Sequence, residues 1–250
     1  MDVICAMSIE NAHSSDVFVR LTRSIGVRLH ARPESPGDST QLHAVNWFDV
    51  RALWAYDLYN ALAATSVRKA GGVPVFKGRL SKVLVGDEQD QRDVLLLVQY
   101  PAAEAFVGML ANRWFMLVSL LRELVVKRFS FGLSVASIAS ISSWGTLDSA
   151  TYLVYHCRCD MQTHLQLLTE LQASAEKFAA EPVFATRIRY TLSLERADKP
   201  AEAVDCLMDS FFVLRHSSAN VLSDLAGSSH FQKILNHTNS AFVALFERLK

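Results

Sequence analysis

The sequence lacks most of the short patterns that announce chemistry. It has no glycine-rich phosphate loop, no G-x-S-x-G elbow and no H-E-x-x-H helix, which removes three common signatures of nucleotide binding, serine hydrolysis and zinc proteolysis. Cysteine is sparse: Cys5, Cys157, Cys159 and Cys206. Only Cys157 and Cys159 are close, as C-x-C rather than the C-x2-C pair of a zinc site, so no disulfide framework is expected and no metal is assigned. That usage fits a reducing, cytoplasmic setting. Net charge is also missing, with 25 basic residues against 25 acidic. A neutral chain has no broad positive field for phosphates, so nucleic acid is not an expected partner. A long apolar run is absent too. Phe129 to Leu147 carries no charge, but seven Ser or Thr and two Gly interrupt it, and no membrane span is expected. The start, MDVICAMSIENAHSSD, has early acids and no apolar core, so it is a poor signal peptide. Four Arg lie between Arg20 and Arg32, but Glu10 and Asp16 precede them, and the stretch reads as a solvated basic face.

What is present is a globular composition, half hydrophobic and one fifth charged, over 250 residues. That length suits one large domain or two small ones. Residues 31–41, ARPESPGDSTQ, form a turn-rich break, which marks residues 1–41 as an N-terminal appendage. His43–Phe48 reads as a strand. Arg51–Ala70 has apolar residues at helical spacing and is stopped by Gly71 and Gly72. Val73–Val85 reads as a strand, and Asp93–Tyr100 as a central strand covered on both faces. Pro101 is placed at the first position of the next helix. A second helix is expected over Asn112–Lys127, then a strand through Phe129, Phe131, Leu133 and Val135. The order strand, helix, strand, strand, helix, strand is that of a ferredoxin-like unit.

A second pass follows the same order. PVFKGR (Pro74–Arg79) returns as PVFATR (Pro182–Arg187), 182 − 74 = 108 residues on. Thr151–Cys157 reads as a strand, Met161–Phe178 as a helix, and PVFATRIRYTLSL as the repeated strand. The loop ERADKPAEAVDC shifts the later alignment to a spacing of 115, setting Leu96 on Phe211 and Val98 on Val213. AFVALFERLK is the expected last strand. Each Pro marks the first residue of its strand. The expected fold is therefore α+β: a first ferredoxin-like unit over 42–138, a linker over 139–150 and a second unit over 151–250. The antiparallel sheets pack as a pseudo-twofold α/β barrel within one chain.

The first half, from VNWF through the Gly71-Gly72 helix and Gly78 to Tyr100-Pro101 with Phe106 and Met109, resembles the dimeric α/β-barrel superfamily. More narrowly it is similar to a branch of short bacterial proteins classed as a domain of unknown function. The resemblance implies that two units press their sheets together, and that this chain does internally what relatives do by dimerising. It also implies a range of activities: cofactor-free oxygenases, isomerases, haem enzymes and small-molecule sensors.

Candidate pocket residues are polar groups placed to reach the space between sheet and helices: His43 and Asn46 with Trp47 on the first strand, Tyr56 and Tyr59 on the first helix, and Arg113 with Trp114 later. The second half offers Tyr155, His156, His164 and His230, with Arg187 and Arg189 on the repeated strand. No catalytic residue is compelled by spacing. The preferred reading is a small-molecule binding or interaction module. A cofactor-free enzyme acting on a small apolar or aromatic compound is the alternative, with His43 and Tyr59 or Arg113 as base and donor. Haem binding through histidine is a weaker one, and no cofactor is required by the residues. The expected state is a monomer with an internal barrel or a homodimer through other surfaces.

Overall fold

The computed structural model describes residues 27–31, 41–87, 90–140, 150–194, 209–238 and 240–249. The basic stretch before Val27, most of the linker and the ERADKPAEAVDC loop lie outside the described residues. Among the described residues, no helix is long and apolar enough to cross a membrane.

The elements follow the order β1 (Val27–Ala31), β2 (Leu42–Val50), α1 (Leu53–Lys69), β3 (Val73–Val85), β4 (Val94–Tyr100), α2 (Ala103–Leu110), α3 (Arg113–Val125), β5 (Val126–Ala139), β6 (Thr151–Arg158), α4 (Met161–Lys177), β7 (Glu181–Leu194), β8 (Ser210–His216), α5 (Ala219–Gly227), α6 (Ser229–Asn236) and β9 (Ser240–Arg248). The sheet runs β1-β7-β5-β2-β4-β3-β9-β6-β8, and β8 pairs back onto β7. Eight antiparallel strands thus close into a barrel, with β1 added along the end of β7. Closure removes the exposed edges that an open eight-stranded sheet would present.

Alternation along each strand divides the protein into two layers. On β2, His43, Val45 and Trp47 point into the barrel, while Leu42, Ala44 and Phe48 face the helices. On β4, Leu95 and Leu97 point inward, while Val98 and Tyr100 meet α2 and α3. This explains the near-continuous apolar run of β4, both of whose faces are covered. The second half repeats the scheme. Val154, Phe211, Val213, Phe242, Ala244 and Phe246 point inward, and Leu153, Cys157, Phe212, Leu214 and Val243 pack under α4, α5 and α6.

The family-like marks of the first half prove to be one packing unit. α1 ends at Lys69 with Ala70 as its cap; Gly71 then takes φ +71°, and the N–H groups of Gly71 and Gly72 donate to the carbonyls of Arg68 and Val67. A Cβ on Gly71 would lie 3.1 Å from the Pro101 ring, and one on Gly72 only 2.7 Å from the Tyr100 ring. Tyr100 in turn donates its hydroxyl to the Met109 sulfur at 3.3 Å and meets Phe106 edge to face at 5.1 Å. Gly-Gly, Tyr-Pro, Phe106 and Met109 thus lock the turn after α1 to the sheet and α2.

Three details depart from the sequence-based expectation. Pro101 is not the first helical residue, because α2 begins at Ala103 with Ala102 as its cap. Pro74 and Pro182 are each the second residue of their strands, and a register shift follows both, between Pro74 and Phe76 and between Pro182 and Phe184. A β-bulge there accommodates the missing donor and turns Phe76 and Phe184 into the barrel. The repeated hexapeptide is this bulge. The later strands also align differently: Pro74 pairs with Val98 and Pro182 with Leu214, a spacing of 214 − 98 = 116 rather than 115. Leu95 and Leu97 therefore match Phe211 and Val213.

Candidate functional site

The barrel interior is filled with its own side chains. Trp47 stands at its centre, fully buried, with ring contacts to His156 (5.1 Å), Phe246 (5.4 Å), Phe242 (5.7 Å) and Phe211 (6.2 Å). Its Nε1–H donates to the Asp90 carbonyl at 3.1 Å, so the loop after β3 covers that end. His156 is fully buried, touches Phe242 and Phe211 as well as Trp47, and both its ring nitrogens have no hydrogen-bond partner. Burial, with the Arg92 charge adding to it, lowers its pKa to about 3. His43 packs on Phe184 at 5.4 Å, and burial lowers its pKa to about 4. Both imidazoles are therefore neutral near pH 7.

The other sequence candidates are dispersed by the two-layer architecture. Asn46 points away from His43, to the helix side, and its amide donates to the carbonyls of Leu96 (3.1 Å) and Ala44 (3.4 Å). Tyr56 and Tyr59 do share a face of α1, with rings 6.1 Å apart, and Tyr56 lies against Phe48. Burial raises the pKa of both phenols. The sheet separates them from His43. Arg113 is exposed at the start of α3, and Trp114 is half exposed, its indole N–H reaching the Leu62 carbonyl at 3.4 Å. Phe115, next in the chain, is buried against the sheet. Tyr155 sits under α4 and α6, its ring against Phe212 and Phe231, and His230 of α6 is half buried. A base at His43 and a donor at Tyr59 or Arg113 thus share no cavity.

The structure does bring one set of polar groups together, outside the barrel. His164, three residues into α4, is held there by the Asp160 cap, whose carboxylate accepts from the Thr163 N–H at 2.7 Å. Its Nδ1 lies 2.9 Å from Ser210 Oγ, which lies 3.1 Å from the sulfur of Cys159. Arg187 donates to the Cys159 carbonyl at 2.9 Å. Arg79, its repeat counterpart, is exposed, so the two arginines have separate roles. The sequence signal was there: Cys157 and Cys159 lie on one strand face. But Ser210 comes from 51 residues further on, beyond the reach of local spacing.

Haem would need an imidazole with open space beyond one ring nitrogen. His156 is boxed by three rings, His43 is packed on Phe184, and His164 is bonded to Ser210 and stacked on Phe212 at 5.3 Å. These three buried histidines do not fit the group. Among the described residues, no three His, Cys, Asp or Glu are arranged to hold a metal ion.

No family profile matches the chain, and no curated protein does. Solved structures do. A candidate monooxygenase of Fusobacterium nucleatum matches with TM-score 0.50 and 11% identity, over 86% of this chain and 94% of that one. A mutant chlorite dismutase from Candidatus Nitrospira defluvii matches with TM-score 0.50 and 12% identity, over 86% and 93%. At such identities the likeness is one of fold. The chain has the dimeric α/β-barrel fold, closed here by eight strands of a single polypeptide.

Proposed function

We propose that this chain is a self-contained tandem module of the dimeric α/β-barrel type, which works by binding rather than by catalysis inside the barrel. Its two halves are ferredoxin-like units related by a pseudo-twofold axis. The strand orders β5-β2-β4-β3 and β9-β6-β8-β7 support this, being the same order of first to fourth strands in each half. So do the contacts across the interior. Val45 pairs with Leu97 and Val154 with Val213, which makes Trp47 the counterpart of His156 and His43 that of Tyr152. Phe76 meets Tyr152 edge to face at 4.8 Å, and Phe184 meets His43 edge to face at 5.4 Å. Trp47 and His156 meet each other, as residues at an axis do.

The observation that carries the binding role is an unequal exterior. α1 exposes Trp54 and Leu58, and α3 exposes Trp114, Leu117, Leu121 and Leu124, whereas in the second half only Leu165 is a large exposed hydrophobic among the described residues. The four α3 residues recur at three- and four-residue spacing, so they form one stripe. Their burial is worth about 25 cal/mol for each square ångström removed from water. The partner is a second copy of this chain: a helical stripe laid on its twofold mate is self-complementary, and a chain of zero net charge meets no like-charge barrier.

Replacing Leu117 and Leu124 together by Glu is the test. Light scattering should give a dimer for the unaltered chain and a monomer for the double variant, with the thermal melt of the barrel kept. A monomeric unaltered chain at high concentration rules the reading out.

A further inference from the structure

Beneath the first turns of α4, on the far side of the sheet from the barrel interior, two thiols, a hydroxyl and an imidazole are joined by successive contacts. Cys157 and Cys159 are two apart at the end of β6 and their sulfurs are 3.9 Å apart. Ser210, the first residue of β8, joins the Cys159 sulfur at 3.1 Å to His164 Nδ1 at 2.9 Å. Asp209 and Arg187 hold the backbone of Cys159, the first accepting from its N–H at 3.2 Å and the second donating to its carbonyl at 2.9 Å. A helix that only needed packing would meet apolar groups here, because buried polar atoms cost free energy unless paired. The contacts from Sγ to Oγ to Nδ1 form instead a hydrogen-bonded chain along which a proton can pass.

The two sulfurs differ in kind. Cys157 has no exposed surface, while Cys159 keeps 8%. The neighbouring Cys157 thiol, the Ser210 hydroxyl and the Arg187 charge hold Cys159 down to about 7, against the opposing effect of burial. Cys157 is pushed well up, first by its hydrogen bond to Cys159 and then by burial. Near neutral pH about half of Cys159 is ionised while its neighbour keeps its proton, the division of labour that thiol exchange needs.

We propose that Cys157 and Cys159 are a redox-active dithiol that a hydroperoxide oxidises to an intrachain disulfide. The Cys159 sulfur attacks the terminal peroxide oxygen and the O–O bond breaks. The proton that the Cys159 thiol gave up through Ser210 on becoming a thiolate goes to the leaving alkoxide, which departs as an alcohol, or as water when the oxidant is hydrogen peroxide. Cys159 is then a sulfenic acid. Cys157 attacks that sulfur, the S–O bond breaks, and the hydroxide leaves as water with the Cys157 proton. The dithiol has lost two electrons and two protons to the peroxide. The sulfurs must approach from 3.9 Å to about 2.05 Å. Cys159 lies one residue beyond the last paired residue of β6, Arg158, and its backbone is held by the Asp209 and Arg187 side chains rather than by a strand partner. The resulting small ring is strained, which keeps the disulfide easily reducible.

Arg158 provides the test, because trypsin cuts after it. The reduced full-length chain, treated with one equivalent of hydrogen peroxide, alkylated and digested, should yield peptides of Cys157 and Cys159 joined by a disulfide. Dithiothreitol should release them as separate peptides. The Cys157→Ser chain should instead accumulate a sulfenic acid at Cys159 that dimedone traps. The oxidation rate should follow a pKa near 7, and Ser210→Ala should move that midpoint up toward the ordinary thiol value of about 8.5. Separate, reduced Cys157 and Cys159 peptides after treatment, with Cys5 or Cys206 oxidised in their place, overturn the proposal. A folded Ser210→Ala chain whose pH profile does not move overturns the role of the relay.

Discussion

Replacing Trp47 by Ala probes the interior most severely. All four of its ring partners, His156, Phe211, Phe242 and Phe246, come from the second half of the chain, although Trp47 itself lies on β2, in the first. Its side chain is fully buried, so truncation leaves a void bounded by rings that are fixed on separate strands and collapse poorly. Large aromatic-to-alanine changes in cores cost about 3–5 kcal/mol, and the closed barrel places this one at the upper end. The lost bond to the Asp90 carbonyl adds little, because the loop carbonyl can turn to water. Urea unfolding followed by far-ultraviolet circular dichroism measures the change as a lower midpoint at constant slope. The slope is informative in itself. It stays unchanged if the variant still melts as one unit, whereas a broader transition means that losing Trp47 has uncoupled the halves. A loss below about 1 kcal/mol would refute the placement of Trp47 at the centre of a packed barrel.

Further outcomes follow from the same structure. His43, His156 and His164 have folded pKa values of about 4, 3 and 4, below the ordinary value of 6.5. The unfolded chain then binds more protons between about pH 6.5 and 4, so stability is full above that window and falls as pH drops through it, by at most about 4 kcal/mol per pH unit for three sites; a pH-independent urea midpoint over this range contradicts the burial of the imidazoles. Gly71→Ala places a Cβ in a left-handed conformation at φ +71° and should cost about 1–2 kcal/mol, read from the same urea curves. Cutting the chain between Gly145 and Ser149 and expressing the first half alone exposes the inward faces of β2 and β4, and should give a homodimer or an aggregate; a soluble monomer at high concentration is the opposing result.

The sequence disclosed the elements better than it disclosed their faces. Strand and helix positions follow from the unbroken apolar run of β4 and from the helical spacing of apolar residues in α1 and α4, and the Gly71-Gly72 stop is a local steric matter. The spacing between the later strands slipped by one residue because β4 and β8 are apolar on both faces. Leu96 and Leu97, or Phe211 and Phe212, are equally good matches by hydrophobicity, and only pairing with the bulged β3 and β7 decides between them. That one-residue slip exchanges the barrel interior for the helix layer. The candidate site suffered in the same way. His43 and Tyr59, drawn together in sequence reasoning, are kept apart by the sheet. The Cys159–Ser210–His164 line needed β6, β8 and α4 to converge. The exposed stripe of α3 was not read from the sequence, where Trp114 stood as a pocket candidate; exposure at Trp114, Leu117, Leu121 and Leu124, with only Leu165 like them among the described residues of the second half, is what the folded chain adds.

Native mass spectrometry of the intact protein, purified without denaturation, tests the central claim most directly. A barrel filled by Trp47, His156 and their ring partners, with its unmatched apolar face outside, predicts a dimer whose mass is that of two polypeptides alone. A monomer that retains a small molecule or a haem would contradict it.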